Sequence, residues 1–588
     1  MLTSLTAPAF AKTWCIEDGN ITVKAGDTGN DVTQKGETTY GDTDTIITNQ
    51  NKDIASSNTV TIETNDKNDK VEVTLKDVNI NVGSDSGSAL TSNGDVTLTL
   101  KGDNSLTGGN GGSGISSNGS LTITGGENDS LTAKGGSGRS GIFSSGGVTI
   151  SGGTVNATGG SSGSDSGDGI HSGSLTMKGG TVNAKGGSGA DGGSGLRTFS
   201  SGGVTISGGS TVNATGGDAS DKDASAGGSG ILIFGSGSLT VSDSTVTATG
   251  GNGGSARGSH GGNGISGKGS LTVSGGTVTA NGGDGCSGSY SDGGIGISSS
   301  SGGVTISGGT VTATGGKSGS GDYSNGGNGI SSSGSLSISG GTVTATAGSS
   351  SGSYGRDGIT TSSSLTISGG TVTANGGSGS YRGGSGISSS DIELSGSLEL
   401  TAKAGSPNGK ALSQNGIELD PNTFKEKLDP GANIITKDAD GKVINQVSSP
   451  RPVEPEGPVI PEESSSSSDS GSSTPSADGG SATPSAPASP LPGLTVTDKD
   501  GQRISYTSIR GNNVLSLRVG RLTASFRISP AALRQLRAEG IDTITFQTIL
   551  CSTTLSVDEL LTMGGEDTEV VLTHHIRSST LTVGGKAV

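Results

Sequence analysis

The chain has 588 residues, of which 114 are glycine, 27% hydrophobic and 2% aromatic, with a net charge of −17 and a pI near 4.7. So little apolar and aromatic material excludes a conventional globular core along most of the length. The acidic balance argues against nucleic acid as a partner, and no run approaches the roughly 18 apolar residues of a transmembrane helix.

Residues 1–11 read as the remnant of a secretion signal, with Ala9-Phe10-Ala11 in the small-x-small form of a cleavage site. The basic n-region is missing and the apolar run is short. Secretion or display at the cell surface is the expectation. Cys15, Cys286 and Cys551 are far apart and make neither a metal-ligand spacing nor a disulfide framework.

Residues 12–80 alternate apolar and polar residues in Ile21–Val23, Thr45–Ile47, Thr59–Ile62 and Val71–Leu75. Period two predicts strands with one buried face. Their irregular spacing predicts the first coils and cap of a solenoid, whose terminal repeats must cover the open end. Charged residues are dense at Asp66, Lys67, Asp69 and Lys70, as suits a solvated end.

From residue 81 a unit repeats. Its first strand opens on Leu90, Ile115, Ile142, Ile170, Leu196, Ile231, Ile265, Ile297, Ile330, Ile359, Ile387 and Leu412, at intervals of 25 to 35 residues. A second strand follows, as in Val304-Thr305-Ile306, and a third, as in Thr310-Val311-Thr312-Ala313-Thr314. Gly-Gly pairs punctuate the second and third strands, where sharp corners favour a residue tolerant of positive φ. Three short strands and three corners per repeat describe one turn of a parallel β-helix. Twelve anchors at about 4.8 Å per turn give a rod of roughly 55–60 Å before the N-terminal coils. Asn156, Asn183 and Asn213 share one station of the third strand and predict a hydrogen-bonded ladder, before Thr takes over at Thr247 and Thr279. Outward Thr in pairs and triplets makes a flat array like that of ice-binding solenoids, interrupted by the Asn residues.

The variable loop between the third strand and the next anchor carries most of the chemistry. Tyr290, Tyr323, Tyr354 and Tyr381 fall there in consecutive turns, four of the chain's six tyrosines. A row of aromatic faces suits the C–H side of sugar rings, or else stacks on itself and stabilises the loops. Arg139, Arg257, Arg356 and Arg382 lie in the same loops, placed to meet the carboxylates of an acidic polysaccharide or to pair with neighbouring aspartates. Asp284, Asp292, Asp322 and Asp357 are candidate calcium ligands beside carbonyl-exposing Gly corners. Asp165, Asp168, Asp191, Asp218, Asp221 and Asp223 add charge, without the regular nonapeptide of calcium-binding β-rolls.

The combined pattern of Gly-Ile-x-Ser-x-Gly, Leu-Thr-Ile-x-Gly-Gly and Thr-Val-x-Ala-x-Gly-Gly, preceded by Val71–Ile80, resembles the secreted carbohydrate-binding β-helix proteins of anaerobic Gram-positive bacteria over about residues 14–415. The resemblance implies a right-handed helix of pectate-lyase type, bound calcium, and binding of polygalacturonate- or cellulose-like polysaccharide without catalysis. It carries over no individual ligand residues. The residues themselves leave two alternatives: a surface adhesin or stalk that binds no glycan, and a polysaccharide lyase. Against the lyase, the acids sit singly in loops of different turns. No Ser/His/Asp set is visible, and His171 and His260 stand alone in the sequence. A polyanion bound by so acidic a chain needs calcium or local arginine to bridge like charges.

The carbohydrate-binding β-helix is therefore expected over 12–446, with regular coils at 81–415 and a short helical turn at Pro421–Leu428. Residues 447–492, rich in Ser and Pro, read as an extended linker. Residues 493–588 read as a small α+β domain of ordinary composition. Strands are expected at Leu494–Thr497, Ile504–Thr507, Val514–Val519, Leu522–Ile528 and Ile541–Gln547, with a helix opened by Ser529-Pro530 and stopped by Gly540. Ser556–Glu559 is a capping box for a second helix. His574-His575 is no metal pair, because adjacent strand residues face opposite ways. The domain's many arginines suggest docking on an anionic cell-wall component.

Overall fold

A computed structural model describes residues 12–64, 70–199, 201–220, 224–449 and, with short gaps, 493–587. The proposed signal, the charged segment 65–69, Cys551 and most of the linker lie outside the described residues. The chain divides into two compact units, Met1–Gly457 and Pro458–Val588.

The first unit is a right-handed parallel β-helix of about 16 turns. All twelve anchors begin a strand and are buried. Each turn pairs in register with the next: Ile297 with Ile330, Val304 with Leu336, and Val311 with Val343. One continuous column of Ile, Leu, Val and Ala fills the tube, from Trp14 to Val447. This is how a chain so poor in apolar residues keeps a core. Each short strand buries one or two residues, and stacking makes the buried surface continuous. In two late turns the three strands fuse at their corners into single runs, Ile359–Asn375 and Ile387–Lys403.

The corners use glycine for two different reasons. Before the third strand the second Gly is left-handed, with φ of 77° at Gly309 and 80° at Gly341, as expected. After the third strand the reason differs. A Cβ on Gly316 would lie 1.9 Å from the Gly283 carbonyl oxygen, and φ there is ordinary. That corner needs glycine for close approach and not for backbone freedom.

The close approach builds a neck. The glycine leaving one third strand and the glycine re-entering the tube bond to one another from turn to turn. N–H groups donate at 2.8–2.9 Å in an unbroken file from Gly160 through Gly167, Gly187, Gly193, Gly217 and onward to Gly348. The variable loops hang outside this file.

The ends are capped. At the N-terminal end Ile21–Gly26, Gly29–Gln34 and Glu37–Asp42 form an antiparallel meander on the first coils. At the other end a 3₁₀ helix, Pro421–Lys427, is capped by Asp420, and Asn433–Lys437 pairs with Val443–Ser448. Val447 is buried, so the folded unit extends past the boundary expected at 446.

Among its described residues the second unit has two sheets and two helices. Leu494–Thr497, Ala524–Ile528, Val570–His574 and Ser579–Val583 run antiparallel, with Lys586–Ala587 at the edge. Thr507–Arg510, Val514–Arg518, Thr543–Gln547 and Ser552–Ser556 form the other sheet. The strand expected at Ile504–Thr507 therefore begins at Thr507. Helix Pro530–Ala538 is capped by Ser529, and helix Val557–Met563 follows Ser556, whose hydroxyl accepts from the Glu559 N–H at 3.4 Å. His574 is fully buried against Phe546 and His575 is exposed, as the strand geometry requires.

Candidate functional site

The loops stack as the tube stacks. A parallel ladder leaves backbone N–H groups at each bend, and Asp or Asn side chains of the preceding turn accept them. Asp218 accepts from Asn252 N–H, Asn252 from Asp284 and Asp284 from Lys317, at 2.7–3.0 Å. Asp292 accepts from Asn325 N–H at 2.7 Å, Asn328 from Asp357 N–H at 3.0 Å, and Asp357 from Ser385 N–H at 2.6 Å. His260 belongs to the same system, its Nδ1 accepting from Asp292 N–H at 3.1 Å.

Three of the four aspartates expected as calcium ligands thus satisfy backbone donors between turns. Asp322 is exposed, and its carbonyl accepts from Tyr290 N–H. The four do not converge. Among the described residues no group of three or more Asp, Glu, His or Cys is placed to hold a metal ion. These residues do not fit a calcium cage, which wants six to eight converging oxygens.

The tyrosines pair. Tyr290 and Tyr323 stack at 5.2 Å between centroids and 13° between planes, and Tyr354 and Tyr381 meet at 6.2 Å and 30°. The Arg257 guanidinium covers the Tyr290 ring at 4.8 Å. All four rings nonetheless stay open to solvent, at 44, 65, 51 and 72% exposure in chain order. The two readings of the row are therefore compatible: the rings self-stack and still present faces and edges outward.

The second tyrosine pair adjoins a cavity of about 280 Å³ lined by Tyr354, Arg356, Asp357, Arg382 and Ser385, among others. Arg356 occupies the neck station that glycine holds in the turns from Gly167 to Gly327, and no backbone bond joins it to Gly348, although Arg139 at the same station keeps its bonds to Gly136 and Gly160. The glycine file opens there and resumes where Gly377 N–H donates to the Arg356 carbonyl. Burial pushes the Asp357 carboxyl above its ordinary value, against the opposing pull of the Ser385 N–H, Arg356 and Arg382. Both guanidiniums are exposed, and neither has a hydrogen-bond or ion-pair partner among the described residues. Two uncommitted guanidiniums beside a small cavity and an aromatic pair can hold a ring that carries negative charge.

Sequence reasoning missed a second cluster. His171, solitary in sequence, sits 3.1 Å from the Asp168 carboxylate through Nδ1, and Arg197 of the next turn approaches the same carboxylate at 3.9 Å. Phe143 and Phe199 flank His171 edge-on at 5.6 and 5.1 Å. Arg197 and Lys268 both lie over the Phe234 ring, at 5.4 and 5.2 Å. The signal was present in the repeat. The residue after each anchor is Thr91, Ser116, Phe143, His171, Arg197, Leu232, Ser266 and Ser298 in successive turns. Four non-hydroxyl residues in a row interrupt a column of Ser and Thr.

No family model, curated protein or solved structure matches the chain. Among the described residues no helix is long and apolar enough to cross a membrane.

Proposed function

We propose that the β-helix is a non-catalytic carbohydrate-binding module acting outside the cell, and that it takes an acidic polysaccharide at the Tyr354/Arg356/Arg382 cavity. The observation that carries this reading is the pair of uncommitted arginines, Arg356 and Arg382, beside exposed tyrosines. In an acidic chain, two arginines that share only the partly buried Asp357, without a direct ion pair, are positioned for an external anion. The tyrosines supply ring faces for the sugar, and the cavity volume suits one residue of a chain continuing over the Tyr323 and Tyr290 loops. The positive charge is local, so a bridging metal is not required for attraction. The repeat resemblance points the same way, toward polygalacturonate-like ligands.

The test is retention of the full chain on insoluble polygalacturonate and on cellulose, with calcium and with chelator, beside an assay for unsaturated product. Retention on polygalacturonate that survives chelator, yields no product and is lost in Arg356→Ala/Arg382→Ala supports the reading. Loss on chelation would instead return a cation to the interface. Product formation would make the protein a lyase. No retention on any acidic glycan would leave the rod as an adhesin or stalk.

A further inference from the structure

The Phe143–Phe234 cluster lies on a different face of the tube from the tyrosine loops, the sheet formed by the first strands, and the proposed glycan site makes no use of it. Elsewhere that face carries outward Ser and Thr. Here, over successive turns, it carries Phe143, His171, Arg197 and Leu232, with Phe199 and Phe234 just past the strand ends and Lys268 beyond. Phe234 is 54% exposed, a large apolar ring held in water. An exposed aromatic patch interrupting a hydroxyl face marks a contact surface.

The patch is built from beneath. Asp168 is 4% exposed, and its carboxylate is committed three ways: to Ser194 N–H at 2.7 Å, to His171 and to Arg197. It fixes the imidazole between two phenyl rings and orients the guanidinium. The Arg197 Nε is buried without a hydrogen-bond partner among the described residues, but the side chain as a whole is 36% exposed, so part of the guanidinium is within reach of a ligand. Lys268, exposed on the next turn, brings a second cation to the same ring.

We infer that this cluster binds an aromatic carboxylate: the ligand's ring extends the row of phenyl rings at Phe199 and Phe234, and its carboxylate is taken by Arg197 and Lys268. The ring follows from the three phenylalanines, whose faces and edges favour offset or edge contact with another aromatic ring. The anion follows from two cations gathered on one aromatic side chain, with the single carboxylate of the cluster buried and spent. A neutral sugar fits poorly, because the one carboxylate of the patch, Asp168, is buried and does not face outward to read hydroxyl donors.

The test is calorimetric titration of the full chain with 4-hydroxycinnamate, with neutral 4-hydroxycinnamide and non-aromatic cyclohexanecarboxylate as controls. The expected result is a saturable site with a dissociation constant below about 1 mM and both controls at least about tenfold weaker. Phe234→Ala, Arg197→Ala and Lys268→Ala should each weaken binding, and Arg356→Ala should leave it unchanged. Lys268→Ala removes only an exposed tip, so it remains decisive if Arg197→Ala disturbs the Asp168 network. The inference is overturned by the absence of saturable binding, by equal binding of either control, or by full binding in Lys268→Ala and Phe234→Ala. Loss of polygalacturonate retention in Arg356→Ala/Arg382→Ala bears on the other site alone, so the two readings fail separately.

Discussion

Tyr290 and Tyr323 share more than a stack. Both hold a left-handed backbone, with φ of 61° and 60°, a conformation bulky side chains seldom adopt. The stacked rings in consecutive turns and the repeated strain belong together, because a register of loops that superimposes one ring on the other also superimposes the backbone beneath it. Contact between the rings is worth about 1 kcal/mol and the left-handed residue costs about as much.

A comparison of two substitutions follows. Tyr323→Ala loses the stack and keeps the strained φ, whereas Tyr323→Gly loses the stack and relieves it. Hydrogen exchange at the Tyr290 amide, which donates to the Asp322 carbonyl at 3.0 Å, should accelerate about five- to tenfold in the alanine variant and less in the glycine variant. Faster exchange in the glycine variant would show that the backbone there carries no strain.

Asp357 gives a pH dependence of definite sign. Its carboxyl is raised above the ordinary 3.8 by burial, so the folded turn keeps a proton that the unfolded chain has already released. Across the window from about 3.8 up to the folded value, the native state binds more protons, and the stability of that turn falls as pH rises. Local exchange measured across that window should show the slope in the wild type and none in Asp357→Asn. The same variant keeps an acceptor for Ser385 N–H and removes a negative charge beside Arg356 and Arg382. At neutral pH it should hold acidic glycan a few-fold more tightly, and weaker binding would contradict the charge assignment of the cavity.

The two uses of glycine separate by mutation. Gly36 is left-handed at φ 79°, with open space where an added methyl would sit, so Gly36→Ala should cost about 1–2 kcal/mol. Gly316→Ala places a Cβ against the Gly283 carbonyl at 1.9 Å and must push two turns apart. Its loss of soluble protein or of resistance to proteolysis should be far larger. Equal behaviour of the two variants would contradict the packed neck.

The Asn ladder offers a conservative rescue. Asn183 Nδ2 donates to Asn156 Oδ1 and its own Oδ1 accepts from Asn213, each at 2.8 Å. Asn183→Ala breaks both bonds on a partly exposed face and should cost about 1 kcal/mol. Asn183→Thr matches the residue used at Thr247 and should cost less, by thermal or denaturant melting of otherwise identical chains. A costlier threonine would mean that the amide pairing outweighs strand preference at that station.

The fold was legible because its signal is repeated. Ile297-Ser298-Ser299 on its own is a weak strand, but twelve anchors in one column leave little choice of architecture, and Val311 and Ala313 declare which face is inward. The cavity was half legible. Tyr354, Arg356 and Arg382 stand out as rare residue types in a Gly/Ser loop, but nothing in the sequence says that the glycine file is interrupted between Gly348 and Arg356 and not at Arg139, which holds the same station. The His171 cluster was hidden for a different reason: Asp168 and Arg197 are neighbours of His171 across a turn boundary, and only superposition of the anchors brings Arg197, 26 residues away, beside it. The acids were ambiguous because a carboxylate capping a backbone N–H between turns has the same composition as one awaiting a cation.

The glycine neck has a consequence for how such a chain changes over generations. Because the tube closes on itself through backbone bonds from Gly160 to Gly348, each loop is a side branch whose ends are fixed and whose contents are not. Residues added or exchanged beyond the neck leave the inner column untouched, so intervals of 25 to 35 residues coexist in one rod. The loops then behave as cassettes on a common spool, and a duplicated turn brings a fresh cassette free to acquire a different specificity.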